Sequence, residues 1–176
     1  MGNAVISRRK GNQYATIEFE NYEKSTLTKH EVENLSQARN GTAATSNGNY
    51  ALFGGGGGPF PFSKVDAYNV SLVRTTPANL TESKTSLAAA KVDEYGLFAG
   101  GGDNFNSPYS SVDAYSASLA HTTTTSLSEG RTQLAGATAG GYSLFAGGRE
   151  AGGLSSDKVD AYDNNLAQST ATALSL

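Results

Sequence analysis

Three copies of one sequence pattern, set 45 to 47 residues apart, constrain this 176-residue chain more than any single residue does. Tyr50-Ala51-Leu52-Phe53 returns as Tyr95-Gly96-Leu97-Phe98 and as Tyr142-Ser143-Leu144-Phe145, each time running into glycines. Val65-Asp66-Ala67-Tyr68 returns as Val112-Asp113-Ala114-Tyr115 and Val159-Asp160-Ala161-Tyr162, with the aspartates 47 residues apart in both intervals. An opening leucine (Leu35, Leu80, Leu127), a cation four residues on (Arg39, Lys84, Arg131) and a leucine four past the motif tyrosine (Leu72, Leu119, Leu166) complete the register. A unit this short cannot bury its apolar face alone, so the fold follows from how the copies stack.

Each unit holds four short strand-like runs, in the first copy at about residues 42–46, 49–54, 64–69 and 72–78. Four antiparallel strands per repeat of this length make the blade of a β-propeller. The expected fold is therefore all-β, with an N-terminal segment at 1–34 and blades at 35–79, 80–126 and 127–176. The second run is apolar on both sides, as suits a sheet packed between two neighbours. The small residue before each Leu-Phe pair (Ala51, Gly96, Ser143) leaves room in that stack, and the glycines after it permit positive φ and close backbone approach. In the N-terminal segment, residues 15–20 alternate apolar and polar and residues 25–30 carry Thr-Leu-Thr, which predicts a hairpin that completes a blade or anchors to something larger.

An apolar strand ending in a Gly pair, a tyrosine on the next strand, a bulky residue four further on and a cation near the start of the next unit together resemble the kelch repeat. The resemblance covers residues 35–176. Kelch repeats usually carry Trp where this chain has Leu72, Leu119 and Leu166, and no Trp is present, so the pattern is similar to a divergent, kelch-like branch of bacterial or phage-borne type. The resemblance implies a ring of more than three blades. Three blades leave open sheet edges that invite pairing, so a homo-oligomer is expected, most simply a two-fold dimer closing six blades.

Composition narrows the function. A net charge of −3 gives no bulk attraction to nucleic acid, and the one basic cluster, Arg8-Arg9-Lys10, reads as a solvated arm. No cysteine is present, which removes thiol chemistry and disulfides. No apolar run is long enough to span a membrane and no signal peptide is visible, so the expected location is the cytoplasm where the protein is made, or a virion surface. The glycine runs lack the Gly-Lys-Ser/Thr of a phosphate loop. His30 and His121 stand at unrelated places in the register and read as surface residues, with no metal or other cofactor expected. Asp66, Asp113 and Asp160 recur in every blade, whereas a catalytic group is singular, so they read as structural partners of turns or cations. Arg39, Lys84 and Arg131 fall under the same logic, with contact to an anionic ligand as the alternative.

The loops after the glycines vary while the strands around them hold, and variable loops on a rigid scaffold are where binding usually sits. Phe60, Phe62, Asn104, Phe105, Tyr109, Arg149 and Glu150 are the candidates. Their mixture of aromatics with amide and charged groups suits stacking on sugar rings or docking a protein surface, against the alternative that the aromatics fold back over the blade or into a subunit contact. The expected function is a non-enzymatic module binding another protein or a surface glycan, in its sharper form a phage virion-surface or host-attachment component. A cytoplasmic adaptor and a carbohydrate-active propeller enzyme are the competing readings.

Overall fold

The computed structural model describes residues 5–10, 13–18, 31–103 and 107–171. They fall into two compact units, Met1–Glu31 and Val32–Leu176. In the first, β1 (Val5–Lys10) pairs antiparallel with β2 (Gln13–Glu18), Lys10 opposite Gln13. β2 overlaps the first run of the expected hairpin, residues 15–20, and its partner in the described sheet is β1, which precedes it. Arg8-Arg9-Lys10 lies in β1, and residues 25–30, taken above as the second strand, lie outside the described residues. The sequence between β1 and β2 is Gly11-Asn12, a dipeptide suited to two-residue hairpin connections.

The second unit contains three four-stranded antiparallel sheets, each a simple meander. Blade 1 is β3 (Ala43–Ser46), β4 (Tyr50–Gly54), β5 (Val65–Asn69) and β6 (Arg74–Thr75). Blade 2 is β7 (Ala88–Val92), β8 (Tyr95–Ala99), β9 (Val112–Tyr115) and β10 (His121–Thr123), and blade 3 is β11 (Ala135–Ala139), β12 (Tyr142–Ala146), β13 (Val159–Tyr162) and β14 (Gln168–Thr170). In blade 1 the first three strands match the expected 42–46, 49–54 and 64–69 closely. The fourth is shorter than 72–78, because Leu72, Leu119 and Leu166 have left-handed backbones (φ 61, 65 and 60°) and form a turn before it. Each donates its N–H back three residues, to the Asn69, Ser116 or Asp163 carbonyl at 2.8–2.9 Å.

Strand alternation gives every blade two distinct faces. The leading face carries Phe53 and Asp66 side by side on β4 and β5, and the trailing face carries Leu52 beside Ala67. Stacking joins the trailing face of one blade to the leading face of the next. Ala43, Leu52, Val65 and Ala67 of blade 1 bury Leu80, Leu87, Phe98 and Tyr115 of blade 2. The register equivalents on blade 2, among them Ala88, Leu97, Val112 and Ala114, bury Leu127, Leu134, Phe145 and Tyr162 of blade 3. Burying such side chains stabilises by roughly 1.5–3 kcal/mol each.

Two glycines mark how close the blades come. A Cβ at Gly96 would lie 2.7 Å from Leu52 Cδ1, and one at Gly136 would lie 2.3 Å from the Ala89 carbonyl oxygen. The expectation of room before the Leu-Phe pair therefore holds at Gly96, where the space is filled by Leu52. Within each blade the motif phenylalanine and tyrosine meet edge to face, as Phe53–Tyr68, Phe98–Tyr115 and Phe145–Tyr162, all with centroids 5.9 Å apart.

Candidate functional site

The loops after β4, β8 and β12 are built on one repeated frame. Phe62, Tyr109 and Ser156 occupy the same register, their N–H groups donating to the carbonyls of Gly56, Gly101 and Gly148 at 2.8, 2.7 and 2.9 Å. The Phe62 and Tyr109 carbonyls then accept the N–H of Lys84 and Arg131 in the following blade, both at 3.2 Å. Loop bases are thus tied into the seam between blades, while the tips above them differ in sequence and length. Short bridges from Asn40 to Gly57, Thr85 to Gly102 and Thr132 to Arg149 hold each loop over the segment that enters its own blade.

This frame separates the candidates. Phe60 stands at the tip of the first loop and is 70 % exposed. Phe62 and Tyr109 are half-buried bases whose backbones are engaged as described. Asn104 and Phe105 lie outside the described residues. Arg149 is exposed and its guanidinium donates to the Gly153 carbonyl from Nη2 at 3.1 Å and Nε at 3.3 Å. Glu150 is half-buried, with Lys158 Nζ 3.5 Å away. Arg149 and Glu150 line a polar depression of about 300 Å³ together with Thr132, Gly152 and Gly153. Leu154, at the tip of the third loop and 69 % exposed, was not among the candidates; its signal was an apolar residue directly after Gly152-Gly153 in an otherwise polar stretch.

The recurrent aspartates form the polar centre of each blade. Asp66 accepts the N–H and Oγ of Ser36, both at 3.1 Å, and pairs with Arg39 at 2.8 Å and Arg74 at 3.2 Å. Asp113 accepts from Thr81 N–H and Oγ1 at 2.9 and 3.0 Å and meets Lys84 and His121 at 2.9 Å each. Asp160 accepts from Ser128 at 3.0 and 3.2 Å, from Gln168 at 2.7 Å and from Arg131. One carboxylate on the third strand thus gathers the segment entering its blade and the outermost strand. Burial pushes the Asp66 carboxyl up, but hydrogen bonds from Ser36 and Arg39 outweigh it and hold it below the ordinary aspartate range. Asp113 is pushed up by burial and held lower by the Lys84 charge and the His121 contact.

Arg39, Lys84 and Arg131, read from the sequence first as structural partners, have no exposed side-chain surface and are each paired with their blade's aspartate. One expectation is corrected here. His121 is partly buried, bonded to Asp113 and set against the Tyr115 ring at 5.0 Å, rather than a free surface residue. The signal for it was positional: Arg74, His121 and Gln168 all stand eight residues after the motif aspartate, and each can donate a hydrogen bond. His30 lies outside the described residues.

No family model and no curated protein matches the chain. Among solved structures the chain is similar to that of YjhT, with a TM-score of 0.70 at 14 % identity, over 82 % of this chain and 48 % of that one. The fold is β-propeller-like. At this identity the likeness shows the fold alone, and the chain spans about half the length of the structure it matches. No helix among the described residues is long and apolar enough to cross a membrane, and no group of three or more His, Asp or Glu side chains among them is placed to hold a metal ion.

Proposed function

We propose that the protein is a non-enzymatic, kelch-like binding module that takes another protein or a surface glycan on its loop tips, in its sharper form as a virion-surface or host-attachment component. The observation that carries this reading is the contrast between base and tip. The loop bases repeat the same N–H to glycine-carbonyl bond in all three blades, while two of the tips present large apolar residues to solvent, Phe60 at 70 % and Leu154 at 69 % exposure. A rigid frame with divergent tips is what a recognition surface requires, and an exposed ring beside polar groups can stack on a sugar face or enter a protein pocket. The enzyme reading has less support, since each motif carboxylate is engaged by several donors and His121 is committed to Asp113.

The test is a glycan array and a whole-cell bacterial binding assay with the wild type beside a Phe60→Ser/Leu154→Ser variant. Both substitutions replace exposed side chains, so the melting temperature should hold while binding is lost. Binding unchanged in both assays would remove this face from consideration.

A further inference from the structure

The three blades leave two faces open, and these are the two halves of a seam that the chain already makes twice. We infer that the trailing face of blade 3 receives the leading face of blade 1 from a second copy, and the reverse, so that two chains close one six-bladed ring.

Exposure at matched register positions carries the inference. On the trailing side, Leu52 and Leu97 are fully buried by the next blade, whereas Leu144 is only partly covered. Tyr50 and Tyr95 pack against the seams, while Tyr142 is 46 % exposed. The β11 residues Ala135, Ala137 and Ala139, whose counterparts in blade 2 are buried, all face solvent. On the leading side, Phe98 and Phe145 are fully buried, but Phe53 is partly exposed. Leu119 and Leu166 pack into the seams, but Leu72 is 41 % exposed. The one open face thus lacks the aromatic and leucine that the other open face offers.

The backbone repeats the same complementarity. Gly56 N–H donates to the Lys84 carbonyl, and Gly101 N–H to the Arg131 carbonyl, both at 2.9 Å across a seam. The corresponding donor on blade 3 is Gly148 N–H and the corresponding acceptor on blade 1 is the Arg39 carbonyl. Neither has this bond among the described residues. A head-to-tail contact between copies pairs them twice in a two-fold ring. A two-fold pair of such contacts joins three blades of one copy to three of the other and covers both open faces of each. The contact needs no ligand and is independent of the loop-tip reading.

The test is the solution mass of the full chain by sedimentation equilibrium, with Leu144→Arg blocking the trailing face and Phe53→Arg blocking the leading one. The expected mass is twice 18.2 kDa for the wild type. Each variant alone should fall to monomer with its far-ultraviolet circular dichroism kept. An equimolar mixture of the two should recover a dimer, since one intact trailing face then meets one intact leading face. A wild-type monomer at 100-fold dilution series concentrations up to the solubility limit would overturn the inference, as would an assembly larger than two chains. A dimer that both substitutions leave intact, or a variant mixture that stays monomeric, would overturn the head-to-tail geometry.

Discussion

Lys84 Nζ lies 2.9 Å from a carboxylate oxygen of Asp113, and neither side chain exposes any surface to solvent. Removing one partner of such a pair leaves an uncompensated buried charge, which costs about 3–5 kcal/mol. Asp113→Ala is expected to destabilise by that amount in urea titration. Lys84→Arg, which reproduces the cation of the first and third blades, should cost less than Asp113→Ala because it keeps the buried carboxylate paired. A small effect of Asp113→Ala would show that the pair is dispensable to the blade.

Acid should weaken the fold through the same carboxylates. Asp66 and Asp113 are held below their ordinary value in the folded chain, so the unfolded chain binds protons first as pH falls. Their contribution is fully present above the unfolded aspartate value of about 3.9 and is lost as pH drops through the lower folded values. Urea midpoints should be flat with respect to these two groups from pH 7 to about pH 5 and fall below about pH 4. Asp113→Asn should lower the midpoint at neutral pH and flatten the acid limb.

Alkali acts on the tyrosines with the opposite sign. Burial, and then the charge of Asp113 or Asp160, pushes the Tyr115 and Tyr162 hydroxyls well above the ordinary tyrosine range. These hydroxyls donate to the Ala78 and Thr125 carbonyls at 2.9 Å, bonds that a phenolate cannot make. Stability from them is present below about pH 10 and lost as pH rises further. Absorbance titration near 295 nm should show them ionising together with loss of the folded circular dichroism, after the exposed tyrosines.

The glycines divide by what surrounds them. An added Cβ at Gly136 meets the Ala89 backbone, whereas one at Gly140 has nothing within 4 Å. Gly136→Ala should destabilise by about 1–3 kcal/mol through overpacking. Gly140→Asn, at φ 55°, should stay within about 0.5 kcal/mol because Asn tolerates the left-handed region at an open surface. Equal effects at the two positions would remove close blade approach as the reason for Gly136.

Much of the fold was legible because the repeat exposes its own register: three copies agree on strands two and three, where packing between neighbouring sheets demands apolar residues on both faces. The polar centre was half legible. Its aspartate and cation recur in sequence, but the donor eight residues on changes from Arg74 to His121 to Gln168, so only the shared position, and not the residue type, betrays the shared bond. The left-handed turn at Leu72, Leu119 and Leu166 was hidden, since leucine is an unusual choice for positive φ and reads as the start of a strand. Of the loop candidates, Phe60 and Phe62 look alike in sequence. Their difference comes from backbone bonds to Gly56 and Lys84, which hydrophobic pattern does not encode.

Among the described residues every charge buried in a blade finds its partner within the same stretch of sequence: Ser36, Arg39 and Arg74 serve Asp66, as Ser128, Arg131 and Gln168 serve Asp160. A whole repeat is therefore electrically self-contained. Gene duplication or deletion in steps of one repeat adds or removes a complete set of charges and leaves none stranded, while each new copy presents the same two faces to its neighbours. Blade number is in that sense an evolutionary variable for this architecture, changeable by recombination without redesign of the core.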